Sequence, residues 1–225
     1  MNTRELDSLE NFQHVTKNYN VEINNNQLDL FKKYHEILVD WNKKINLISR
    51  KEENILERHF LDSILFLPEI ESLVTQPTTN VLDIGSGGGF PAIPIAIIKS
   101  EWKFTLCESI KKKANFLNHL VKELDLDNVE ILNTRVEACH DMPLQQKYDL
   151  ITARAIAKLD VLIKYSMPLL KPGGSLIAYK AKDIEDELKN AEETIKKNKL
   201  KLKIFSKEIK GVERKLVVLT HSYIL

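Results

Sequence analysis

The chain has 225 residues, 43% of them hydrophobic, which is enough for one large domain or one domain with a small appendage. Its formal net charge of +1 argues against indiscriminate coating of nucleic acid, although local basic patches remain compatible with it. The polar, acidic start predicts no signal peptide. The longest nearly apolar stretch, Phe90–Ile98, is too short to span a bilayer.

The first part of the chain is predicted to be helical. Residues 1–75 contain no glycine, and their apolar residues recur at three- and four-residue steps. A second helix is expected to carry Ile55 and Leu65 and to end near Pro68. The polar connector 76–80 then separates an N-terminal helical region, 1–78, from a second region, 79–225.

Strand and helix patterns alternate after this connector, which predicts a doubly wound α/β fold with a mostly parallel sheet. The predicted strands are Val81–Ile84, Phe104–Glu108, Val129–Leu132, Tyr148–Thr152, Ser175–Tyr179, Leu200–Ile209 and Leu216–Thr220. Helices are expected at Pro91–Ile98, Ile110–Leu124, through Leu162 to Leu169, and at Glu185–Lys197, with a turn at Lys171–Gly174. This gives seven strands with a terminal pair.

A glycine-rich segment follows the first predicted strand and favours a nucleotide-type ligand. Gly85 and Gly87 fit the first two positions of the dinucleotide fingerprint, but Phe90 takes the position that normally requires a small residue. With Asp83 two residues before Gly85, the spacing resembles the first motif of S-adenosylmethionine-dependent methyltransferases. A carboxylate suits the cationic parts of that cofactor. A tight turn without a ligand is the alternative.

Residues after the next three strands are further candidates. Glu108 ends the second strand, where an acid can accept both ribose hydroxyls, or else pairs with a nearby lysine. The backbone at Val136 and Glu137, after the third strand, is placed to contact an adenine, although a loop without a ligand fits as well. Arg154, after the fourth strand, suits an RNA phosphate, a base acceptor, the cofactor carboxylate or a surface ion pair.

Six segments together resemble the small-subunit ribosomal RNA guanine-N7 methyltransferase G family, also called glucose-inhibited division protein B. The glycine segment marks only the superfamily, whereas the other segments are more specific. The matching segments are Trp41–Leu47, Arg58–Ser63, Asp83–Pro91, Arg135–Glu137, Thr152–Ala155 and Glu213–Val218. The resemblance implies the seven-stranded class I S-adenosylmethionine-dependent methyltransferase fold, with an N-terminal helical extension.

The resemblance also implies methyl transfer from S-adenosylmethionine to N7 of one guanosine in small-subunit (16S) ribosomal RNA. Carried over by position, the cofactor-binding residues are Gly85, Gly87, Phe90, Glu108, Val136, Glu137 and Arg154. Lys180 and Arg214, together with Arg154, are candidates for RNA phosphates or guanine O6, and a structural ion pair fits each equally well. The chain departs from the family at Glu108, where the family often has Asp, and at Ala181, where it often has Gly.

The chain has no recognisable nucleophile–base pair, which fits the chemistry that the resemblance implies: guanine N7 has a free lone pair and needs positioning more than proton removal. Lys111–Lys113 and a stretch from Lys196 to Lys210 are either RNA-binding or simply solvated. The alternatives are a methyltransferase acting on a protein or small molecule, a dinucleotide-dependent oxidoreductase, and a non-catalytic RNA-binding protein. From two cysteines and scattered histidines we expect a cytoplasmic protein without metal, and we expect a monomer whose partner is ribosomal RNA or the small subunit.

Overall fold

The computed structural model describes residues 9–50, 54–180 and 184–221, and a seven-stranded sheet organises them. The strands are β1 (Asn80–Ile84), β2 (Lys103–Cys107), β3 (Val129–Leu132), β4 (Tyr148–Arg154), β5 (Leu170–Lys180), β6 (Leu200–Ile209) and β7 (Val212–His221). Their order across the sheet is β3-β2-β1-β4-β5-β7-β6. The first five strands pair in parallel, and β7 is antiparallel to both neighbours. The doubly wound sheet predicted from the alternating pattern is confirmed.

Helices cover both faces of the sheet. They are α1 (Leu9–Lys17), α2 (Asn25–Asn42), a π-helix (Leu56–Leu61), α3 (Asp62–Ile64), α4 (Leu67–Glu71), α5 (Ala92–Ile98), α6 (Lys111–Glu123), a 3-10 helix (Val136–Asp141), α7 (Leu159–Ser166) and α8 (Glu185–Lys197). A capping box between Asn24 and Gln27 starts α2, because each side chain accepts a hydrogen bond from the other residue's backbone N–H.

One local prediction was incomplete and another was wrong. The second N-terminal helix ends at Ile64, shortly before Pro68, but Pro68 itself lies in the first turn of a separate helix, α4, where its missing N–H costs no helical hydrogen bond. The turn expected at Lys171–Gly174 lies within β5. There the pairing with β4 jumps from Tyr148↔Leu170 to Leu150↔Ser175, so these residues form an irregularity inside a longer strand.

The N-terminal helices pack directly onto one face of the sheet. Phe12, Phe31, Tyr34 and Phe60 are fully buried and make edge-to-face contacts with one another, and Phe60 also contacts Phe90. These rings belong to the same hydrophobic cluster as α5 and α6. A second cluster fills the other face, under α7 and α8. Because alternate strand residues point to opposite faces, Val81 joins the first cluster and Leu82 the second.

No helix within the described ranges is both long enough and apolar enough to cross a membrane.

Candidate functional site

The turn after β1 lies at the carboxyl ends of the parallel strands, where open α/β sheets bind their ligands. Gly85 has a φ of +68°, and a Cβ added there would lie 2.7 Å from Ile156 Cδ1. Gly87 also has a positive φ, but among the described residues outside its immediate chain neighbours a Cβ there would meet one atom within 4 Å, the Gly85 carbonyl oxygen at 3.8 Å. The backbone at Gly87 is therefore open to a ligand, whereas Gly85 is favoured by its left-handed backbone conformation, since the end of the exposed Ile156 side chain could move aside.

Asp83 is a buried carboxylate with one oxygen left unpaired. Its Oδ1 accepts a hydrogen bond from Thr152 Oγ1 at 2.6 Å, while Oδ2 has no partner among the described residues. Burial raises the pKa of Asp83 to about 7, because the charged form loses its hydration. An unpaired, buried carboxylate oxygen is expensive unless a ligand completes it, and a cationic ligand would do so.

Glu108 ties the glycine turn to the start of α6. One carboxylate oxygen accepts the Gly87 N–H at 2.9 Å and the other accepts the Ile110 N–H at 2.7 Å. The side chain is 4% exposed, so the alternative of an exposed acid that pairs with a lysine does not hold. An ionised carboxylate accepts up to about four hydrogen bonds, so both oxygens keep a lone pair for ribose hydroxyls.

The remaining predicted cofactor residues surround the same edge of the sheet. Val136 and Glu137 begin the 3-10 helix that follows β3; Val136 is buried and Glu137 is exposed. Two large apolar side chains are exposed nearby in the fold: Ile110, after β2, is 50% exposed, and Ile156, after β4, is 40% exposed. Exposed isoleucines beside a polar turn are suited to an apolar ring such as adenine.

Phe90 is placed mainly for packing. Its ring is 5% exposed and stacks on Tyr34 with a centroid separation of 5.4 Å. The Arg154 guanidinium lies over the same ring, 5.0 Å from its centroid. The bulky residue at the closing position of the glycine motif therefore supports the N-terminal helices and Arg154. Its cofactor contact stays a prediction.

Arg154 points to the N-terminal region. Its Nη1 donates to Asp62 Oδ2 at 3.1 Å and to the Arg58 carbonyl at 3.3 Å, and its Nη2 donates to His59 Nδ1 at 3.0 Å. Burial, followed by the positive charges of Arg154 and Arg58, lowers the pKa of His59 to about 3. The imidazole is therefore neutral at physiological pH, and its Nδ1 is an acceptor.

A cavity of about 720 Å³ opens beside these groups. It is lined by the π-helix, the ends of β4 and β5 and the start of β7. The positively charged side chains in this lining are Arg58, Arg154, Lys180, Arg214 and Lys215. A second cavity of about 750 Å³ lies at the opposite end of the sheet, against the first residues of β1 to β4. The glycine turn and the acids are at the carboxyl end, so the first cavity is the candidate acceptor site.

Some lysines of the candidate site and of the basic stretch form ion pairs within the protein. Lys180 Nζ contacts Glu187 and donates to the Ala157 carbonyl at 3.1 Å. Lys207 pairs with Glu69 at 2.8 Å, and Lys210 pairs with Glu57 at 2.7 Å. Lys201 and Lys203, on the edge strand β6, are exposed. The basic stretch is thus divided between internal contacts and an exposed edge.

Comparison with known proteins gives a family match that covers most of the chain. A family model described as rRNA small subunit methyltransferase G matches residues 27–217. Ribosomal RNA small subunit methyltransferase G of Lactococcus lactis subsp. cremoris is 38% identical over 186 residues, which are 82% of this chain and 77% of that protein. The Streptococcus pneumoniae protein of the same name is 41% identical over 201 residues, covering 88% and 81% of the two chains.

The chain belongs to the rRNA small subunit methyltransferase G family.

Solved structures with low sequence identity show the same fold. A SAM-dependent methyltransferase from Aquifex aeolicus superposes with a TM-score of 0.56 at 15% identity, covering 80% of this chain and 97% of that one. TYW2 from M. jannaschii, in complex with AdoMet, gives a TM-score of 0.54 at 20% identity, covering 70% and 76%. The class I fold expected from the methyltransferase G resemblance is confirmed.

The structure also brings together residues whose roles the sequence did not reveal. Asp62 and His59 were recognised only as parts of a methyltransferase G segment, and Thr152 only as part of another. In the fold, Asp62 contacts both Arg154 and Arg214, and Thr152 holds Asp83. No local pattern indicates these pairs, because Asp62 is 92 residues from Arg154 and 152 from Arg214 along the chain.

Proposed function

We propose that this protein transfers a methyl group from S-adenosylmethionine to N7 of a guanosine in small-subunit ribosomal RNA. The relatives named as ribosomal RNA small subunit methyltransferase G give the substrate class. The observation that carries the cofactor assignment is the buried Asp83 Oδ2 without a described partner, beside an open glycine backbone. In this proposal residues 79–225 form the methyltransferase domain and 1–78 its helical extension.

The residues at the carboxyl edge fit the cofactor. Asp83 would face its cationic groups, Glu108 would accept the ribose hydroxyls, and the Gly85–Gly87 backbone would lie against its amino-acid tail. The start of the 3-10 helix, at Val136 and Glu137, would contact the adenine, which the exposed Ile110 would cover. Glu108 is already oriented by two backbone N–H groups, so its side chain would lose little conformational freedom on binding.

The acceptor chemistry suits a site without a general base. When bound, S-adenosylmethionine supplies a methyl group on a cationic sulfur; the C–N7 bond forms as the C–S bond breaks, with its electron pair left on sulfur. Guanine N7 has an in-plane lone pair and no proton to remove. The chain's residues would therefore act by orienting the base and excluding water. The cavity lined by Arg154 and Arg214 supplies donors for guanine O6 and the flanking phosphates.

Labelled methyl transfer tests the proposal. Small ribosomal subunits that lack the modification, free ribosomal RNA and a protein fraction would each be incubated with the native chain and labelled S-adenosylmethionine. We expect label in the RNA, and chain cleavage at one guanosine after reduction and mild base treatment, which is diagnostic of 7-methylguanosine. Label in protein, or in adenosine, cytidine or ribose, would contradict the acceptor. Calorimetry with S-adenosylmethionine, its demethylated product and NAD checks the cofactor: tight NAD binding alone would contradict it.

The proposal places the protein in the cytoplasm, where ribosomal subunits are assembled, and has it act as a monomer. Sedimentation of the purified chain, alone and with small subunits, tests the oligomeric state. A stable dimer in the absence of subunits would contradict the second point.

A further inference from the structure

The carboxylate of Asp62 lies between two guanidinium groups from distant parts of the chain. Arg154 Nη1 donates to its Oδ2 at 3.1 Å, and Arg214 Nε donates to its Oδ1 at 2.8 Å. All three side chains are largely buried: 14% of Asp62, 16% of Arg154 and 18% of Arg214 is exposed. One carboxylate therefore fixes the spacing of two cations, each bound to its own oxygen.

The two arginines keep donors that their described contacts do not use. A guanidinium has five N–H groups. Arg154 uses three, toward Asp62, Arg58 and His59, and Arg214 uses two, toward Asp62 and the Glu213 carbonyl. Both side chains line the cavity of about 720 Å³. The cluster of Asp62, Arg154 and Arg214 thus has a net charge of +1. Its unused N–H donors lie beside a cavity large enough for a nucleoside.

The element that delivers Asp62 is unusual. The π-helix Leu56–Leu61 ends directly before Asp62, and π-helical turns are rare and often mark functional sites. The same segment presents the Arg58 carbonyl and the neutral His59 imidazole to Arg154. Three groups of the N-terminal helices therefore act as acceptors for a single arginine at the end of β4.

We propose that Asp62 is a positioning residue for the acceptor guanosine. It holds Arg154 and Arg214 together so that their remaining N–H groups bind guanine O6 and a flanking phosphate, which leaves N7 free to attack. Without the carboxylate, the negative charge that offsets the mutual repulsion of the two cations is lost, and the acceptor is no longer aligned. This inference rests on the proposed function. In it, both the N-terminal helices and the sheet contribute residues to the acceptor site.

The test compares Asp62→Asn with a matched control, Asp149→Asn. Asp149 forms a similar ion pair, 2.8 Å from Lys171 Nζ, beside β5 residues remote from the cavity. Single-turnover methyl transfer to saturating small subunits isolates the chemical step. We expect Asp62→Asn to lower that rate about a hundredfold, the cost of a misplacement of about 1 Å. Binding of the demethylated cofactor product to the protein alone should change less than threefold, and the control should retain the native rate.

Two further measurements separate positioning from simple stabilisation. Small-subunit affinity, measured without cofactor, should weaken about tenfold in Asp62→Asn and stay native in the control. The rate of the double variant Asp62→Asn/Arg214→Gln should be no lower than that of Asp62→Asn, because both changes remove the same arrangement. If Asp62→Asn does not fold, Arg214→Gln replaces it, with an expected loss of about tenfold in rate at native cofactor affinity.

The possible failures are distinguishable. A native protein that methylates no RNA refutes the proposed function itself. If the native protein is active while the folded Asp62→Asn variant stays within threefold of its rate, only the positioning role is overturned. The positioning role would also be overturned if the double variant's loss in rate equalled the product of the losses of the two single variants.

Discussion

Replacing Asp83 with Asn should change how the stability of this chain depends on pH. The native carboxyl has its pKa raised from 3.8 to about 7 by burial and, more weakly, by the charge of Glu108, against the opposing effects of Ser86, Thr152 and Arg154. Between these two values the folded chain holds a proton that the unfolded chain has released. Stability therefore falls as pH rises through this window, and the fall is complete above about pH 7.

The magnitude follows from the width of the window. Each pH unit of the window is worth about 1.4 kcal/mol. Ionising the buried carboxyl therefore lowers the free energy of unfolding by about 4 kcal/mol in total. About 2–3 kcal/mol of this loss develops between pH 5 and pH 8. The Asn side chain carries no charge, and its oxygen can still accept the Thr152 hydroxyl. The free energy of unfolding of Asp83→Asn, relative to the native chain, should therefore rise by about 2–3 kcal/mol across that range.

Urea denaturation at several pH values measures this difference, with Asp127→Asn as the control because Asp127 is exposed. Parallel curves for the native chain and Asp83→Asn would refute the reasoning, since they would mean that Asp83 is charged at pH 5. A cationic cofactor stabilises the ionised carboxylate, so native cofactor affinity should be about tenfold lower at pH 6 than at pH 8, because only about a tenth of Asp83 is then ionised. Asp83→Asn should bind more weakly and without this dependence.

Three other predictions concern the cofactor, the RNA and the chemical step. Glu108→Ala should weaken cofactor binding by about 1.5–3 kcal/mol. It should also lower the free energy of unfolding by about 1–3 kcal/mol for each of the two backbone N–H groups that lose their acceptor. An unchanged dissociation constant by calorimetry would exclude the ribose contact. Replacing Lys201 and Lys203 with Gln should reduce the slope of log affinity for the small subunit against log salt concentration by about 0.7–0.9 for each phosphate that is no longer neutralised. If the variant keeps the slope of the native protein, these lysines do not contact the RNA. At saturating cofactor, the single-turnover rate should be flat between about pH 7 and pH 9, and a sigmoidal rise abolished by one substitution would reveal a base.

Local patterns predicted most of the fold. The bounds of β3 and α8 agree with the sequence prediction, because an apolar run and an amphipathic charged helix are both visible within a dozen residues. The predicted turn at Lys171–Gly174 failed because a glycine-rich irregularity inside a strand has the same composition as a turn. The sequence could place the glycine turn, Asp83 and Glu108 at one edge because the strands of this fold end there, and their cofactor contacts stay predictions.

The acceptor side of the site could not be predicted in the same way. The sequence assigns Arg154 to the cofactor or RNA and Arg214 to RNA, and only the three-dimensional packing shows that Asp62 joins the two arginines. Glu108 was expected to meet ribose, yet its contacts to Gly87 and Ile110 depend on the path of the turn, which composition does not encode. The contacts of Asp62 with Arg154 and Arg214 span 92 and 152 positions, and contacts at such separations leave no periodic signal in a single sequence.

The run of lysines near the C-terminus illustrates how charge patterns mislead. Lys207 and Lys210 extend to Glu69 and Glu57 in the N-terminal helices, so they stabilise the contact between those helices and the β6–β7 pair. Glu57 is 8% exposed, and a buried acid without its partner is costly, so Lys210 stabilises the fold through this ion pair. The same contact holds Arg214 beside Asp62. Under the proposed function, the helical extension would therefore serve the acceptor site by fixing the antiparallel strands, and the exposed β6 edge would be open to RNA.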